Sequence, residues 1–334
     1  MLHTDWQSVA MTLHPDPAPH GVVWLPEYGV STFEGPDATR FLQGYLTCDV
    51  AALRADRAQP TALCNIKGRV VVTGWAVGQA SDRVQLLHDR SLSAVLRELL
   101  AVYLRFSKTR LIDQSDSLLV FGALDMPDLP GAARADARRQ WLLEASIDAA
   151  RARVESANAI TVAAWQRALI ADGIAVVTAP TRDQCLPQML DLPRIGAVSF
   201  AKGCYLGQEI VARAQHRGQV KRHLSRLTWS GAVVPAAGTA LQDDDGHARG
   251  VLLQAAEDVV AKDTVTEDAV AEDAVAEDAV AEDAVTDVPA GAGSAVPART
   301  GIALAVLQDD CAASLTGADC RFQTASGQDF SSGQ

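Results

Sequence analysis

The sequence predicts a mixed α+β fold followed by a small C-terminal β-domain, and three observations support this. Strand and helix patterns alternate between residues 21 and 223 without the regular rhythm of a doubly wound parallel sheet. From Leu224 onward the pattern changes to short strand-like runs separated by glycine and proline, which is typical of a barrel. Of the 334 residues, 48% are hydrophobic and 21% charged, which is enough apolar material for two or three ordinary cores.

The chain is predicted to begin its α+β region with two strands and a short helix. Residues 21–25 and 30–34 have strand patterns, and Gly35-Pro36-Asp37 predicts a helix with proline at its first position. The buried stripe of this helix, at spacing i, i+3, i+4 and i+7, consists of Ala38, Phe41, Leu42 and Tyr45.

A hairpin and a longer helix are expected next. Residues 61–66 and 69–77 are β-rich runs joined by Lys67-Gly68, which is typical of a hairpin whose glycine takes a positive φ. Residues 83–88 continue the sheet. A helix capped by Ser91 follows, and its apolar face consists of Leu92, Val95, Leu96, Leu99 and Leu100.

The second half of the α+β region is predicted to contain strands at 109–113 and 117–123. The segment 132–154 is rich in alanine and arginine and is interpreted as helical. Another helix is predicted over 160–172, and Gly173 ends it in the position just after the cap.

The β-domain is interrupted by an acidic repeat. Its strand-like runs are 224–230, 240–241, 250–254, 301–306 and 319–324. Between them the unit Ala-Glu-Asp-Ala-Val recurs from about 267 to 285 with a period of five, which fits neither a helix nor a strand. We interpret this stretch as a solvated linker, and an acidic segment that mimics nucleic acid is the alternative. Deleting the repeat is expected to leave activity intact.

These patterns divide the chain into a flexible N-terminal arm (1–20), interleaved α+β domains (21–223) and a β-barrel domain (224–334) with an acidic insertion at about 257–298.

The overall charge is misleading because the acidic stretch contributes most of it. The formal net charge is −12, which by itself argues against a partner such as DNA. Residues 257–287 hold twelve acids and one base, and without them the chain has 29 acidic and 28 basic residues. The remaining surface is therefore nearly neutral.

The cysteines and the N-terminus indicate a cytoplasmic protein that does not engage a membrane. The six cysteines contain no Cys-x-x-Cys pair, so we expect reduced thiols and no metal site, including at Cys311 and Cys320. Residues 1–20 lack the cationic head and apolar run of a secretory signal. No segment approaches the roughly 18 unbroken apolar residues that a spanning helix needs.

The segment with the clearest chemical pattern surrounds Cys204. Lys202 lies two residues before this cysteine, and Gly207 precedes a predicted helix in which Ile210 and Val211 share a face. A helix N-terminus and a neighbouring ammonium both favour the thiolate, so Cys204 is a candidate reactive cysteine. The alternative is a buried thiol that acts as a small hydrophobe. A Cys/His catalytic pair is less well supported, since the nearby histidines are close only in sequence.

Eight consecutive residues carry a family resemblance. The run Lys202-Gly203-Cys204-Tyr205-Leu206-Gly207-Gln208-Glu209 resembles the signature of the YgfZ-type folate-binding proteins, which are related to the aminomethyltransferase of glycine cleavage. The resemblance also covers Phe41-Leu42-Gln43-Gly44, Lys67-Gly68-Arg69, Ser107-Lys108 and Pro187-Gln188, and so most of the chain outside the acidic repeat.

The resemblance implies a fold, a cofactor and a set of site residues. The implied fold is a three-domain, aminomethyltransferase-like ring with a C-terminal β-barrel, and the implied cofactor is tetrahydrofolate or a one-carbon derivative. Cys204 and Lys202 are implied as catalytic residues, and the residues implied to bind folate are Tyr28, Trp165, Tyr205, Gln208, Glu209, Arg213 and Arg217. A flat pterin stacks well on aromatic faces, although core packing is the alternative for Trp165.

Two features of this sequence bear on folate binding. Relatives often have a glutamate where this chain has Ala171, and Asp172 next to it is turned by about 100° on a helix. A basic cluster follows the cysteine motif: Arg213, His216, Arg217, Lys221, Arg222, His223 and Arg226. The cluster is a solvated face, a site for the glutamate tail of folate, or a contact to tRNA phosphate.

The function implied by the resemblance is a folate-binding protein that supports assembly or repair of iron–sulfur proteins, including enzymes that modify tRNA. In this hypothesis the Cys204 thiolate reacts with the one-carbon unit on folate, or with sulfur or iron from a damaged cluster. Two alternatives stay open: an aminomethyltransferase of glycine cleavage, and a non-catalytic iron–sulfur scaffold that has lost folate.

Overall fold

The computed structural model of the chain describes residues 20–154, 157–258, 298–311 and 313–324. The predicted N-terminal arm, apart from His20, and the acidic repeat lie outside the described residues. Within these ranges, no helix is long and apolar enough to cross a membrane.

The α+β region contains two antiparallel sheets. The first has the strand order β3-β4-β5-β2-β6 and the second β1-β7-β9-β8. Their strands are β1 (Gly21–Trp24), β2 (Tyr28–Glu34), β3 (Gln59–Cys64), β4 (Val70–Ala80), β5 (Arg83–Asp89), β6 (Arg110–Asp113), β7 (Leu119–Leu124), β8 (Ala133–Arg134) and β9 (Arg139–Glu144). Because β1 pairs with β7 and β2 pairs with β5, the chain crosses from one sheet to the other at its first turn.

Five α-helices in the described residues pack around these sheets: α1 (Ala38–Gln43), α2 (Ser93–Leu104), α3 (Ile147–Val154), α4 (Val162–Ala171) and α5 (Gln208–Arg217). Helix α4 is capped by the Thr161 hydroxyl, which accepts a hydrogen bond from the Ala164 N–H. It ends at Ala171 with Asp172 as its C-cap, and Gly173 has φ +65°, as the sequence predicted for the position after the cap.

The C-terminal domain is a closed six-stranded barrel, which confirms the predicted class. Its strand order is β10-β13-β12-β11-β14-β15. The strands are β10 (Arg222–Gly231), β11 (Ala240–Gln242), β12 (Ala248–Glu257), β13 (Arg299–Gln308), β14 (Ser314–Gly317) and β15 (Cys320–Thr324). Strand β14 was not predicted, since its four residues carry little hydrophobic pattern. The ends of β12 and β13 that border the acidic insertion pair with each other, Glu257 opposite Gly301.

The prediction of helix over 132–154 is wrong except for α3. Residues 133–134 and 139–144 are strands, and the carboxylate of Asp136 turns the chain between them by accepting the N–H groups of Arg138 and Arg139. Strand β9 is covered on both faces, with Trp141 in one core cluster and Leu142 in another. A strand buried on both faces shows no period of two, and its composition here favours helix.

Two helix starts also differ from the prediction. Helix α1 begins at Ala38 with Asp37 as its cap, so Pro36 lies before the helix. Ser91 lies in a short 3₁₀ turn whose cap is Asp89, and α2 begins only at Ser93. The Asp89 carboxylate caps its turn by accepting the Ser91 N–H, whereas the Asp37 side chain makes no cap bond to α1 and instead accepts the N–H of Lys108.

Candidate functional site

The cysteine motif forms a loop that lies against the segment after α1. The Leu206 N–H donates to the Gly44 carbonyl over 3.0 Å, and the Ser199 N–H donates to the Thr47 carbonyl over 2.9 Å. Between these two anchors Cys204 is exposed to solvent, four residues before α5 begins. The alternative of a buried thiol that acts as a small hydrophobe is therefore wrong for this cysteine, because its side chain is open to solvent.

Lys202 anchors the same loop through its side chain. Its ammonium donates hydrogen bonds to the carbonyls of Leu46 (2.7 Å) and Cys48 (2.8 Å), and it lies 5.4 Å from the centre of the Tyr205 ring. Burial lowers the pKa of Lys202 to about 8, against a smaller opposing effect from Cys48 and Asp49. In the structure, the side chain of Lys202 thus ties the loop to the backbone carbonyls of residues after α1.

Lys202 should change how the free energy of unfolding depends on pH. Its pKa is lower in the folded chain (about 8) than the ordinary value of 10.5, so the unfolded chain binds the extra proton between these pH values. The free energy of unfolding of wild type should therefore gain a contribution as pH rises from 8 to 10.5. In Lys202→Met that contribution should vanish, as measured by chemical denaturation across this range. Lys108→Met, at an exposed lysine, is the control and should behave as wild type.

Two glycines bring the hairpin turn into close contact with the start of α5. Gly68 has φ +68° and Gly207 has φ +80°, both in the left-handed region that favours glycine. A Cβ on Gly207 would lie 2.3 Å from the Asn65 carbonyl oxygen, and one on Gly68 would lie 2.9 Å from Cβ of Ile210. The turn runs from Asn65 to Arg69, longer than the two residues predicted, because the Asn65 N–H donates to the Arg69 carbonyl.

Gly207→Ala is expected to destabilise the protein, by about 1–3 kcal/mol from backbone strain and by more from the clash with Asn65. Gly203→Ala in the same loop is the matched control, because a Cβ there meets nothing within 4 Å. Thermal or denaturant unfolding of both variants measures the difference. Equal stability of the two variants would contradict the packing described.

The other predicted residues of the motif lie on the loop and on α5. The Tyr205 ring is buried, and burial raises the pKa of its hydroxyl. The Gln208 side-chain oxygen accepts the Tyr205 N–H over 3.3 Å, so these two residues stabilise the loop itself. Glu209 and Arg213 form an exposed ion pair of 3.3 Å, and Arg217 is exposed in the last turn of the helix. The last three side chains therefore face solvent.

The two predicted aromatic residues lie in one buried cluster between the sheets. Ring centroids of Tyr28 and Trp165 lie 4.9 and 5.2 Å from that of Trp141, and Trp75 lies 4.7 Å from Trp141. Trp165 is wholly enclosed, and Gly122 packs so closely on it that a Cβ there would lie 2.7 Å from the indole. The two rings therefore lie in one cluster, and neither presents an open face to a pterin in this arrangement.

A cavity of about 290 Å³ lies beside this cluster. Trp75 is the member of the cluster that lines it, and the remaining lining residues come from β3, the β8–β9 turn, the end of α4 and the segment after it: Pro60, Ala135, Asp136, Ala137, Arg138, Arg139, Asp172, Ile174, Arg194 and Ile195. The volume is near the lower end of the range for small-molecule sites. It would accept a fused ring system more readily than a whole folate.

Two carboxylates line this cavity: Asp136, whose two oxygens accept hydrogen bonds from Arg138 and Arg139, and Asp172 at the end of α4. Oδ2 of Asp172 accepts hydrogen bonds from Arg138 (2.8 Å) and from the buried Arg139, whereas Oδ1 takes no hydrogen bond within the described part of the chain. The carbonyl of Ala171 accepts a hydrogen bond from Arg226 over 2.9 Å. A residue of barrel strand β10 therefore contacts the end of α4. Ala171 stands where relatives often have a glutamate, but the next residue, Asp172, still provides a carboxylate at the cavity.

These residues fit the chemistry of a pterin. A flat indole, a carboxylate oxygen with spare acceptor capacity and guanidinium groups are the partners that a ring with N–H donors and a carboxylate tail would require. The sequence pattern missed Trp75, Arg138, Arg139 and Arg194. Trp75 is one of several apolar residues in β4, and only the packing of the two sheets distinguishes it.

Comparisons with known proteins agree with this architecture. No family model matches the chain. The chain is 31% identical over 269 residues to the tRNA-modifying protein YgfZ of Sodalis glossinidius (strain morsitans), covering 72% of this chain and 81% of that protein. It is 28% identical over 271 residues to the protein of the same name in Klebsiella pneumoniae (strain 342), covering 72% and 82%.

Among solved structures, the aminomethyltransferase T of the glycine cleavage system from Bartonella henselae superimposes with a TM-score of 0.60 at 12% identity, covering 96% of this chain and 88% of that one. This likeness establishes the aminomethyltransferase-like fold, and the sequence matches extend across most of it. The chain belongs to the YgfZ family.

Proposed function

We propose that this chain binds tetrahydrofolate in the cavity beside Trp75 and supports the assembly or repair of iron–sulfur proteins, and thereby tRNA modification. The observation that carries the proposal is the cavity itself, where an aromatic ring, an available carboxylate oxygen and several arginines meet in a chain of the YgfZ family. The relatives named above are tRNA-modifying proteins, which supports the tRNA-linked part of the proposal.

Three groups at the cavity would hold folate. Trp75 offers an indole beside the space, and Asp172 Oδ1 would accept hydrogen bonds from the amino and ring N–H groups of the pterin. Arg138 and Arg194 line the same cavity, and each is already paired, Arg138 with Asp125 and Asp172 and Arg194 with Asp191, so a carboxylate of folate would share these guanidinium groups with acids of the chain. When bound, tetrahydrofolate supplies a carrier for one-carbon units.

Cys204 supplies the second feature of the proposed function, an exposed thiol. The loop that carries it is anchored on both sides of the cysteine by backbone hydrogen bonds and by Lys202, and the cysteine itself is exposed to solvent. An exposed thiol on an anchored loop suits a group that must meet a second protein or its cluster.

The proposal is tested by expressing the full chain in a strain that lacks its own YgfZ protein and measuring thiomethylated nucleosides in tRNA. Restored thiomethylation is expected, and no restoration by a stable, soluble chain would overturn the proposal. Titration of the purified chain with tetrahydrofolate, followed by tryptophan fluorescence, separates a folate protein from a scaffold: no quenching at near-millimolar ligand would support the scaffold. Glycine-dependent one-carbon transfer with a lipoylated carrier would instead indicate an aminomethyltransferase.

A further inference from the structure

We propose that the exposed cationic side chains around α5 form a binding surface for the phosphate backbone of RNA. We call this surface the α5 cationic face, and it consists of the exposed Lys67, Arg213, Arg217, Lys221 and Arg222 together with the half-buried Arg69, which also donates to the Gln184 carbonyl. The proposal deepens the proposed function, on which it rests, by naming tRNA itself as a partner that the chain touches.

The first part of the surface is the helix and the strand that follows it. Arg213 and Arg217 lie one turn apart on α5, so they are neighbours on its solvent side. Lys221 and Arg222 follow within five residues, where the chain leaves the helix and enters β10. Within the described residues, no carboxylate oxygen lies within 4 Å of the charged groups of Arg217, Lys221 or Arg222.

The hairpin turn adds two more cations to the same surface. Lys67 flanks Gly68, which packs against Ile210 of α5, so the turn lies beside the helix. Arg69 and Arg222 both lie near the buried Cys185, where their positive charges oppose the rise in the pKa of that thiol caused by burial. These contacts bring charges that are about 150 residues apart in sequence to one place.

Exposed apolar groups lie among these charges. The rings of Phe200 and His216 are in edge contact at 5.8 Å, and 38% of Phe200 is exposed. Ile66, at the tip of the hairpin turn, is 71% exposed. Rings among cations are the combination that binds unpaired bases by stacking, in addition to the phosphate contacts.

Helix electrostatics account for only part of this surface. Cations in the last turn of a helix interact favourably with its dipole, which explains His216 and Arg217. Lys67, Arg69, Lys221 and Arg222 lie outside that turn, so the dipole does not explain them. Among the described residues, Glu209 pairs with Arg213 of this surface, and Asp309 at its edge pairs with His223. A positive face in a chain of net charge −12 is an attractor for a polyanion.

Between polyanions, the exposed rings favour RNA over an acidic peptide such as a polyglutamate tail. An acidic peptide gains from the cations alone, whereas a nucleic acid gains from the cations and the rings together. The two partners therefore differ in how strongly their binding depends on Phe200, so a Phe200 variant distinguishes them.

The test measures binding of a fluorescent, unmodified tRNA transcript to the full chain by anisotropy over a series of salt concentrations. We expect log K to fall linearly with log salt, and Lys221→Gln/Arg222→Gln to weaken binding about tenfold and lower the slope by about 2. Arg97→Gln/Arg105→Gln, which removes two exposed cations from and beside α2, is the matched control and should bind as wild type. Phe200→Ala should weaken binding of tRNA and leave binding of a polyglutamate peptide unchanged.

Several results would overturn the proposal: no tRNA binding at low salt, an equal loss in the α2 control, or a polyglutamate peptide that binds as tightly as tRNA. Titration of the same variants with tetrahydrofolate keeps the two proposals distinguishable, because Lys221 and Arg222 lie outside the cavity lined by Trp75. Intact folate binding with no RNA binding would contradict only the proposal that the α5 cationic face binds RNA. RNA binding without folate binding would contradict only the proposal that the cavity binds folate.

Discussion

Replacement of Cys204 by alanine is expected to reduce tRNA thiomethylation, in a strain that depends on this chain, to the level of the strain lacking it. The reason is chemical: alanine keeps the backbone of the loop but removes the thiol, which is exposed on a loop held by the carbonyls of Gly44, Leu46, Thr47 and Cys48. Nucleoside analysis of total tRNA measures the effect.

The loss should come from chemistry and not from folding. Cys204 is exposed, so Cys204→Ala should unfold within about 0.5 kcal/mol of wild type. Cys311→Ala, at a half-buried thiol in the barrel, is the control and should restore thiomethylation fully. Normal thiomethylation by Cys204→Ala would remove the case for a functional thiol, whatever the folate result.

Trp165→Ala is expected to lower the free energy of unfolding by about 3–5 kcal/mol, because it empties the centre of a packed aromatic cluster. The side chain is fully enclosed, with Gly122 against its ring and Trp141 at its edge. Chemical denaturation measures the loss, and Phe106→Ala, at a ring that is 91% exposed, is the control with a change near zero.

This prediction separates the core and platform interpretations of Trp165. If the ring is core, Trp165→Phe should recover most of the stability and bind tetrahydrofolate nearly as wild type. A variant that keeps its stability and loses folate would instead show that the cluster opens and that Trp165 meets the pterin directly. Burial of the neighbouring Tyr28, which raises the pKa of its phenol, agrees with the core interpretation.

Local patterns predicted well the parts of the fold whose signals lie within a few residues. The hairpin turn at Gly68, the stop at Gly173 and the barrel all depend on turn chemistry and short strands, and each occurs where it was expected, although the hairpin turn is longer than the two residues predicted. Strand β9 was missed because its burial on both faces comes from elements far away in sequence.

The site shows the same division between local and distant information. The exposed Cys204 could be found from its motif, which is contiguous. The cavity could not, because Trp75, Asp172 and Arg194 meet only when the two sheets and the segment after α4 have packed. Tyr28 and Trp165, the aromatic residues named by resemblance, belong to the same buried cluster as Trp75, but of these three only Trp75 lines the cavity.

The most direct test of the folate cavity is calorimetric titration of the full chain with tetrahydrofolate, comparing wild type with Asp172→Asn and Arg138→Gln. Each variant removes one charged partner, so we expect affinity to fall about tenfold or more, as for a lost hydrogen bond to a charged group. Arg54→Gln, in a separate cavity of about 670 Å³ beside β4, is the matched control and should bind as wild type. Saturable binding that weakens only at the cavity beside Trp75 is the predicted result. Equal affinity in all four proteins, with their folds intact by circular dichroism, would contradict it.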